Sequence, residues 1–175
     1  MLNLESSKFL SKKELSEIAP SIFTMKPSNT VSNKYTHIPT ERVIDDMELM
    51  GWKPVDAKEV KARTEDTRGV QKHLVIFRND DVVINGEDGD TVFPQILITN
   101  SHDGKNAFQF TAGLFRMICE NGLVISTEEF EDLKMRHMGY TFEDLQVLIR
   151  GMVEKLPLTV EAMNKMKEVE LEEEQ

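Results

Sequence analysis

Residues 72–100, KHLVIFRNDDVVINGEDGDTVFPQILITN, contain the pattern that decides the fold. Two apolar runs, at 72–79 and 92–100, are rich in β-branched and aromatic residues and predict strands. Asn85-Gly86 and Asp88-Gly89 between them are strong turn dipeptides. The pattern therefore predicts antiparallel strands joined by a turn, and residues 82–84 allow a short extra strand.

The segment before these strands predicts a helix and then another extended stretch. Residues 41–50, ERVIDDMELM, follow Thr40 as the predicted N-cap and end at Gly51, a left-handed C-cap. The apolar residues on one face of this helix are Val43, Ile44, Met47 and Met50. Residues 53–63, KPVDAKEVKAR, predict the first strand.

Residues 101–122 after the second run predict a helix that ends at Asn121-Gly122. Its predicted buried face consists of Ala107, Phe108, Thr111, Leu114, Phe115 and Ile118. Two short strands are predicted at 123–126 and 130–138. Thr141 then caps a helix that Pro157 stops, and Thr159 begins a last helix.

These elements predict an α+β fold with an antiparallel sheet of three to five strands, packed by helices and followed by C-terminal helices. The core domain is expected at residues 35–157. Residues 1–34 contain a short helix with the capping-box pair Ser11 and Glu14, stopped by Pro20 and followed by a polar, flexible loop. Residues 158–175 form a C-terminal helix with an acidic tail.

Composition excludes several classes of protein. A chain of 175 residues fits one compact domain. Its one cysteine, Cys119, excludes an internal disulfide and a multi-cysteine zinc site, and we expect it to be inert core filling. No apolar run is long enough for a membrane span and the N-terminus lacks a secretory pattern, so the expected location is the cytoplasm.

The net charge of −10 conceals an uneven distribution. From Lys53 to Arg78 seven Lys and Arg residues face four acidic residues, a local charge of +3. From Glu161 to the end six Glu residues face two Lys, a local charge of −4. A cationic middle is the feature expected of phosphate binding, which draws its affinity from Lys and Arg.

The stretch NSHDG, formed by Asn100, Ser101, His102, Asp103 and Gly104, is the most conspicuous polar motif. One interpretation is a turn in which Asn, Ser and Asp bond local backbone amides. The alternative is an enzyme using His102 and Asp103, with or without a metal. No histidine has a second ligand at metal-binding spacing, and no phosphate-loop motif occurs. We therefore expect no cofactor, no metal and no catalytic site.

The strongest functional candidate is the cationic stretch with its neighbouring aromatic residues. We predict that it binds single-stranded DNA, with cations on the phosphates and an exposed ring, Trp52, on a base. Phe77 and Phe110 are further candidates for exposed rings. The predicted phosphate contacts are Lys61, Arg63, Lys72, Arg78, Lys105 and Arg116. The alternative is a solvated face of mixed charge.

The order of several motifs resembles a family of phage- and plasmid-borne proteins of unknown function. The motifs are YTHIPTERVIDDMELMGWKPV at 35–55, KHLVIFR at 72–78, QILITNSHDGKNAFQFTAGLFRMICENGLV at 95–124 and RH at 136–137. The NSHDG stretch followed by GLFRMICENGL is the most specific of them. This resemblance covers residues 35–157 and implies a mobile-element protein of DNA handling, counter-defence or copy maintenance.

The order of helix, Gly51-Trp52, strands and long helix is also similar to the core of Rad fifty-two type single-strand annealing proteins. That similarity implies a non-enzymatic DNA-binding protein and a homo-oligomer, since annealing proteins form rings. The net negative charge departs from that pattern. It supports the alternative of an acidic counter-defence protein that occupies a host defence or DNA-processing protein.

Overall fold

The computed structural model describes residues 8–85, 91–117, 124–135, 137 and 141–173. The chain begins with helix α1 (Lys12–Ile18), a short 3-10 helix (Pro20–Phe23) and helix α2 (Thr40–Leu49). The strands are β1 (Lys53–Glu59), β2 (His73–Arg78), β3 (Ile84–Asn85), β4 (Thr91–Val92), β5 (Gln95–Asn100), β6 (Phe108–Met117) and β7 (Val124–Met135). A 3-10 turn (Glu65–Thr67) lies between β1 and β2, and helix α3 (Phe142–Glu173) follows β7.

Five strands form one antiparallel sheet in the order β1-β2-β5-β6-β7. Strand β2 is buried along its whole length because β1 and β5 flank it and other elements cover its faces. Strands β3 and β4 pair separately as a two-stranded ribbon. The predicted α+β class with an antiparallel sheet is confirmed.

The core forms where the helices pack on the sheet. Trp52, Phe77, Phe108 and Phe110 are the largest of its fully buried side chains. Burying a large apolar side chain contributes about 1.5–3 kcal/mol, so these rings are major stabilising contacts. The N-terminal elements add Leu15, Ala19 and Ile22, and α2 adds Val43, Ile44 and Met47.

The predicted helix at 101–122 is wrong, because residues 108–117 form strand β6. Phe108, Phe110 and Ala112 lie on one face of the strand and are buried, and Thr111 is buried on the other face. The same apolar residues also fit a helical spacing, and the local pattern leaves the choice open. Residues 108–117 form a strand because their backbone pairs with β5 on one side and with β7 on the other.

The chain after β6 also differs from the prediction. One long strand, β7, replaces two short ones, and irregular pairing beside Gly113 and Phe115 accommodates it. Helix α3 continues through Pro157, where a stop was predicted. The buried side chains of Val153, Leu156 and Val160 hold both sides of the proline on the core, which outweighs its missing hydrogen bond. Within the described chain, every helix is too short or too polar to cross a bilayer.

Several of the predicted helix ends are present, whereas the predicted stop at Pro157 and start at Thr159 are not. Ser11 and Glu14 form a capping box, Gly51 has a φ of 86°, and Thr141 accepts from the Asp144 amide. Thr40 is the first residue of α2 and not its cap, because its hydroxyl faces a buried histidine. Residues 86–90 and 118–123, with the predicted turn glycines, Ile118, Cys119 and the C-cap at Asn121-Gly122, lie outside the described residues.

Candidate nucleic-acid interface

Two loops meet at one end of the sheet. Glu59 at the end of β1 pairs with His73 at the start of β2, and His73 pairs with Asn100 at the end of β5. Residues 60–72 and residues 101–107 leave the sheet from these three neighbouring strand ends. Antiparallel pairing therefore brings together two loops that are distant in sequence.

The two loops enclose a cavity of about 710 Å³ with four cationic side chains in its walls. Lys61 and Arg63 follow β1, Lys72 precedes β2, and Lys105 follows β5. We call this cavity the basic groove. Its lining residues are Val60, Lys61, Ala62, Arg63, Thr67, Gln71, Lys72, Asp103, Lys105 and Asn106.

The charge of the basic groove is not neutralised by its surroundings. Its four cationic residues are exposed, and none forms a salt bridge with another described residue. The acidic lining residue is Asp103, so four positive charges face one negative charge. The nearby Glu65 carboxylate is paired with Arg68 at 2.9 Å. An anion that enters the groove therefore meets uncompensated positive charge.

Other predicted contact residues lie elsewhere. Arg78 is at the opposite end of β2, where its Nε donates to Asp80 at 2.6 Å and its guanidinium lies 5.2 Å from the Phe9 and Phe93 ring centres. Arg116 lies on β6 and not on a helix, and its side chain is outside what the structure describes. Arg78 does not line the basic groove.

The predicted exposure of Trp52 is wrong. Its side chain is 1% exposed and packs in the core directly after Gly51. Phe77 and Phe110, the other predicted stacking rings, are fully buried. Trp52 lies between α2 and β1, where its ring fills space between the helix and the sheet.

The NSHDG stretch forms a tight connection between β5 and β6. Its Asn100 side chain donates to the Ile38 carbonyl at 2.9 Å and to Thr40 at 3.0 Å, and it accepts from the Ser101 amide. The Asp103 Oδ1 accepts from the Ser101 hydroxyl at 2.8 Å and from the Lys105 amide at 2.9 Å. These bonds are the expected turn chemistry, although the turn joins two strands and not a strand and a helix.

The backbone of His102 joins this connection to two other loops. Its amide donates to the Val70 carbonyl at 2.9 Å, and its carbonyl accepts from the Ser28 amide at 2.8 Å. Val70 lies in the loop that carries Lys61, Arg63 and Lys72. The motif therefore fixes the position of Lys105 relative to the other three cations.

Beneath the basic groove, histidines from different parts of the chain come together. The His102 ring centre lies 4.7 Å from that of His37 and 5.1 Å from that of His73. Their separation along the chain, at residues 37, 73 and 102, gave no indication of this contact. Within the described residues, no group of three or more His, Cys, Asp or Glu has an arrangement that would hold a metal ion.

Burial controls the protonation of these histidines. It lowers the pKa of His102 to about 3, with further contributions from the neighbouring histidines, and it lowers the pKa of His73 to about 4. The pKa of His37 and that of His137 are lowered for the same reason. The rings are therefore neutral at pH 7, and His102 is too weak a base for efficient proton transfer there.

A second cavity, of about 430 Å³, shares Asp103, Lys105 and Asn106 with the basic groove. Tyr35 and His137 lie in its wall with their rings stacked, 4.8 Å between centres and 17° between planes. We call it the ring cavity. Its lining residues are Thr30, Val31, Ser32, Tyr35, Asp103, Gly104, Lys105, Asn106, Ala107 and His137.

No local sequence pattern indicated Tyr35 or Asn106 as site residues. The Tyr35 hydroxyl donates to the Ser101 carbonyl, 66 residues away along the chain. The His137 Nδ1 lies 2.9 Å from the Thr36 carbonyl, across 101 residues. Contacts of this range come from strand order, which composition and spacing do not reveal.

We expect Gly104→Ala to lower the free energy of unfolding by about 1–3 kcal/mol. Gly104 has a φ of 75°, and an added Cβ would lie 3.1 Å from the Val31 side chain and 3.7 Å from the Tyr35 ring. Urea unfolding measures the change. Gly151→Ala is the control, because a Cβ there meets nothing within 4 Å and α3 should be stabilised or unaffected. Equal effects of the two variants would contradict the prediction.

Comparison with known proteins places the chain in a family. It is 32% identical over 130 residues to UPF0380 protein YafZ of Escherichia coli (strain K12), and equally so to UPF0380 protein YfjQ of the same organism. Each match covers 74% of this chain and 45% of the relative, so the chain spans less than half the length of either one. No solved structure matches, and the similarity to annealing proteins stays a prediction. Residues 27–175 match the family described as "Domain of unknown function (DUF932)", and the chain belongs to that family.

Proposed function

We propose that this domain binds single-stranded nucleic acid without catalysis and holds the phosphate backbone in the basic groove. The observation that carries the proposal is the set of four exposed cations, without salt bridges to described residues, around one cavity. Phosphates release condensed counterions when such cations neutralise them, and this release supplies most of the affinity.

The shape of the site favours a single strand. A cavity of about 710 Å³ lies in the range of small-ligand pockets, so it admits a few nucleotides and not a duplex. The adjoining ring cavity supplies an aromatic wall beside the phosphate sites. Cations that follow the backbone beside rings that stack on bases are the usual combination in single-strand binding.

The net charge of −10 makes the position of the cations important. A polyanion is repelled by the chain as a whole and attracted only where positive charge is concentrated. We therefore expect one localised contact with nucleic acid and little coating of other surfaces.

Binding of a fluorescein-labelled thymidine dodecamer, measured by anisotropy, tests this proposal. Four phosphate contacts predict a slope of about −2.8 for log affinity against log salt, or about fifty-fold weaker binding at 200 mM than at 50 mM salt. Replacing Lys61, Arg63, Lys72 and Lys105 by Gln should remove most of the affinity and most of the slope.

A matched control variant replaces three lysines and one arginine outside the basic groove, namely Lys13, Arg150, Lys155 and Lys165. It carries the same change in net charge and should keep most of the wild-type affinity and the slope. Absence of binding at low salt, binding indifferent to salt, or equal losses in the two variants would each refute the proposal.

A further inference from the structure

The ring cavity is not needed to explain phosphate binding, yet it adjoins the basic groove. The two cavities share Asp103, Lys105 and Asn106, so a strand on the cations lies beside the Tyr35–His137 pair. A single strand has one base for every phosphate. The cavity next to the phosphate sites is therefore where a base would enter.

Both rings of the pair are fixed in place. The Tyr35 hydroxyl donates to the Ser101 carbonyl at 3.1 Å, which sets the plane of the phenol. The His137 Nδ1 donates to the Thr36 carbonyl at 2.9 Å, and the Thr36 amide donates back to the His137 carbonyl at 2.8 Å. A wall fixed in this way stacks on a base without losing side-chain freedom when it binds.

The polar groups of the cavity include the carboxylate of Asp103, which can accept hydrogen bonds from a ligand. The His137 Nδ1 faces a carbonyl and carries the hydrogen, whereas Nε2 is buried, has no hydrogen-bond partner among the described residues and is not open to a ligand. The bonds that orient Asp103 both use Oδ1, which leaves Oδ2 to accept from a ligand. A base with hydrogen-bond donors complements this carboxylate.

We infer that the ring cavity is a nucleobase subsite that selects guanine, an inference that rests on the proposed function. Guanine presents an N–H and an adjacent exocyclic amino group on one edge, and thymine presents a single N–H between two carbonyls. A carboxylate binds the donor edge of guanine and repels the carbonyls of thymine. The Tyr35–His137 pair supplies the stacking, and the basic groove holds the neighbouring phosphates.

The test compares labelled thymidine dodecamers in which one central thymidine is kept, replaced by guanosine or replaced by inosine. Wild type should bind the guanosine oligomer about tenfold more tightly than the all-thymidine one. Inosine, which lacks the exocyclic amino group, should lose most of that gain. Asp103→Asn keeps the Oδ1 acceptor of the turn and should remove the preference for guanosine.

Variants of the ring separate stacking from phosphate binding. Tyr35→Leu should weaken every oligomer by about tenfold with an unchanged salt slope, because it removes the stacking wall and no charge. Tyr35→Phe keeps the ring and should bind nearly as wild type. Circular dichroism at the assay temperature confirms that each variant is folded.

The outcomes distinguish this inference from the function on which it rests. Salt-dependent binding of all oligomers with equal affinity, together with wild-type affinity in Tyr35→Leu, overturns the nucleobase subsite and leaves the basic groove intact. Failure of wild type to bind any oligomer overturns the proposed function, and the subsite with it.

Discussion

Lowering the pH from 7 to 5 is expected to reduce the free energy of unfolding by about 4 kcal/mol, through His73 and His102. Burial holds the pKa of His73 at about 4 and that of His102 at about 3, against an ordinary value of 6.5. At pH 5 both rings are still neutral in the folded protein, whereas the unfolded chain has taken up both protons. Each histidine contributes about 2 kcal/mol over this interval.

The free energy of unfolding falls as the pH falls because the unfolded state binds these protons at a higher pH than the folded state does. Between pH 6.5 and the lowered pKa values the unfolded state holds more protons, so acid favours unfolding. Below about pH 3 both states are protonated and these two histidines cause no further loss. Asp56 acts in the opposite sense, because burial raises its pKa and the folded protein takes up that proton first.

Urea unfolding at the two pH values measures the loss, and His102→Gln assigns it. The variant should lose about 2 kcal/mol less than wild type between pH 7 and pH 5, whatever its stability at pH 7, because one titrating group is gone. Proton NMR gives an independent check, since the His73 and His102 ring resonances of the folded protein should not titrate above pH 5. A wild-type loss below about 1 kcal/mol would show that these rings are solvated.

Local patterns predicted the elements whose partners lie close in sequence. The apolar run at 72–79, the capping box at Ser11 and the left-handed Gly51 follow from short-range chemistry, and the structure contains each of them. Residues 108–117 were predicted wrongly because their apolar residues satisfy two periods at once. A strand there gains its hydrogen bonds from β5 and β7, so its stability depends on distant segments.

In the candidate site, too, local sequence patterns predicted some residues, and the positions of others depend on distant segments. Lys61, Arg63 and Lys72 lie in one loop between adjacent strands, so their proximity was accessible from the sequence. The residues next to Trp52 in the sequence do not predict its burial, because the space that it fills exists only after α2 packs on the sheet. The contact among the histidines could not be predicted either. Residues 37, 73 and 102 lie far apart in the sequence without a regular spacing, and the order of the strands brings them together.

Asn100→Asp is expected to lower the free energy of unfolding at pH 7 by about 3–5 kcal/mol, because it places an unpaired charge in the core. The Asn100 side chain is fully buried, and its Nδ2 donates to the Ile38 carbonyl and the Thr40 hydroxyl. A carboxylate oxygen at that position would face a carbonyl oxygen at about the same 2.9 Å. Asn100→Ala leaves groups unpaired but buries no charge, and should cost about 1–3 kcal/mol.

The directions of the neighbouring hydrogen bonds explain why the aspartate variant finds no easy relief. The His73 Nδ1 lies 3.1 Å from the Gln71 carbonyl, which only accepts, so Nδ1 carries the hydrogen. The His73 Nε2 must then accept from the Thr40 hydroxyl at 2.7 Å, and Thr40 has only a lone pair to offer residue 100. The hydroxyl can turn toward a carboxylate if Nε2 loses its donor, or if the His73 tautomer changes so that Nδ1 accepts from the Ser21 hydroxyl at 3.1 Å and opposes the Gln71 carbonyl. Either change loses a buried hydrogen bond. Urea unfolding at pH 7 measures the loss in the free energy of unfolding for both variants. Equal losses for Asn100→Asp and Asn100→Ala would mean that water reaches residue 100 and that the hydrogen-bond donors and acceptors around it are not fixed.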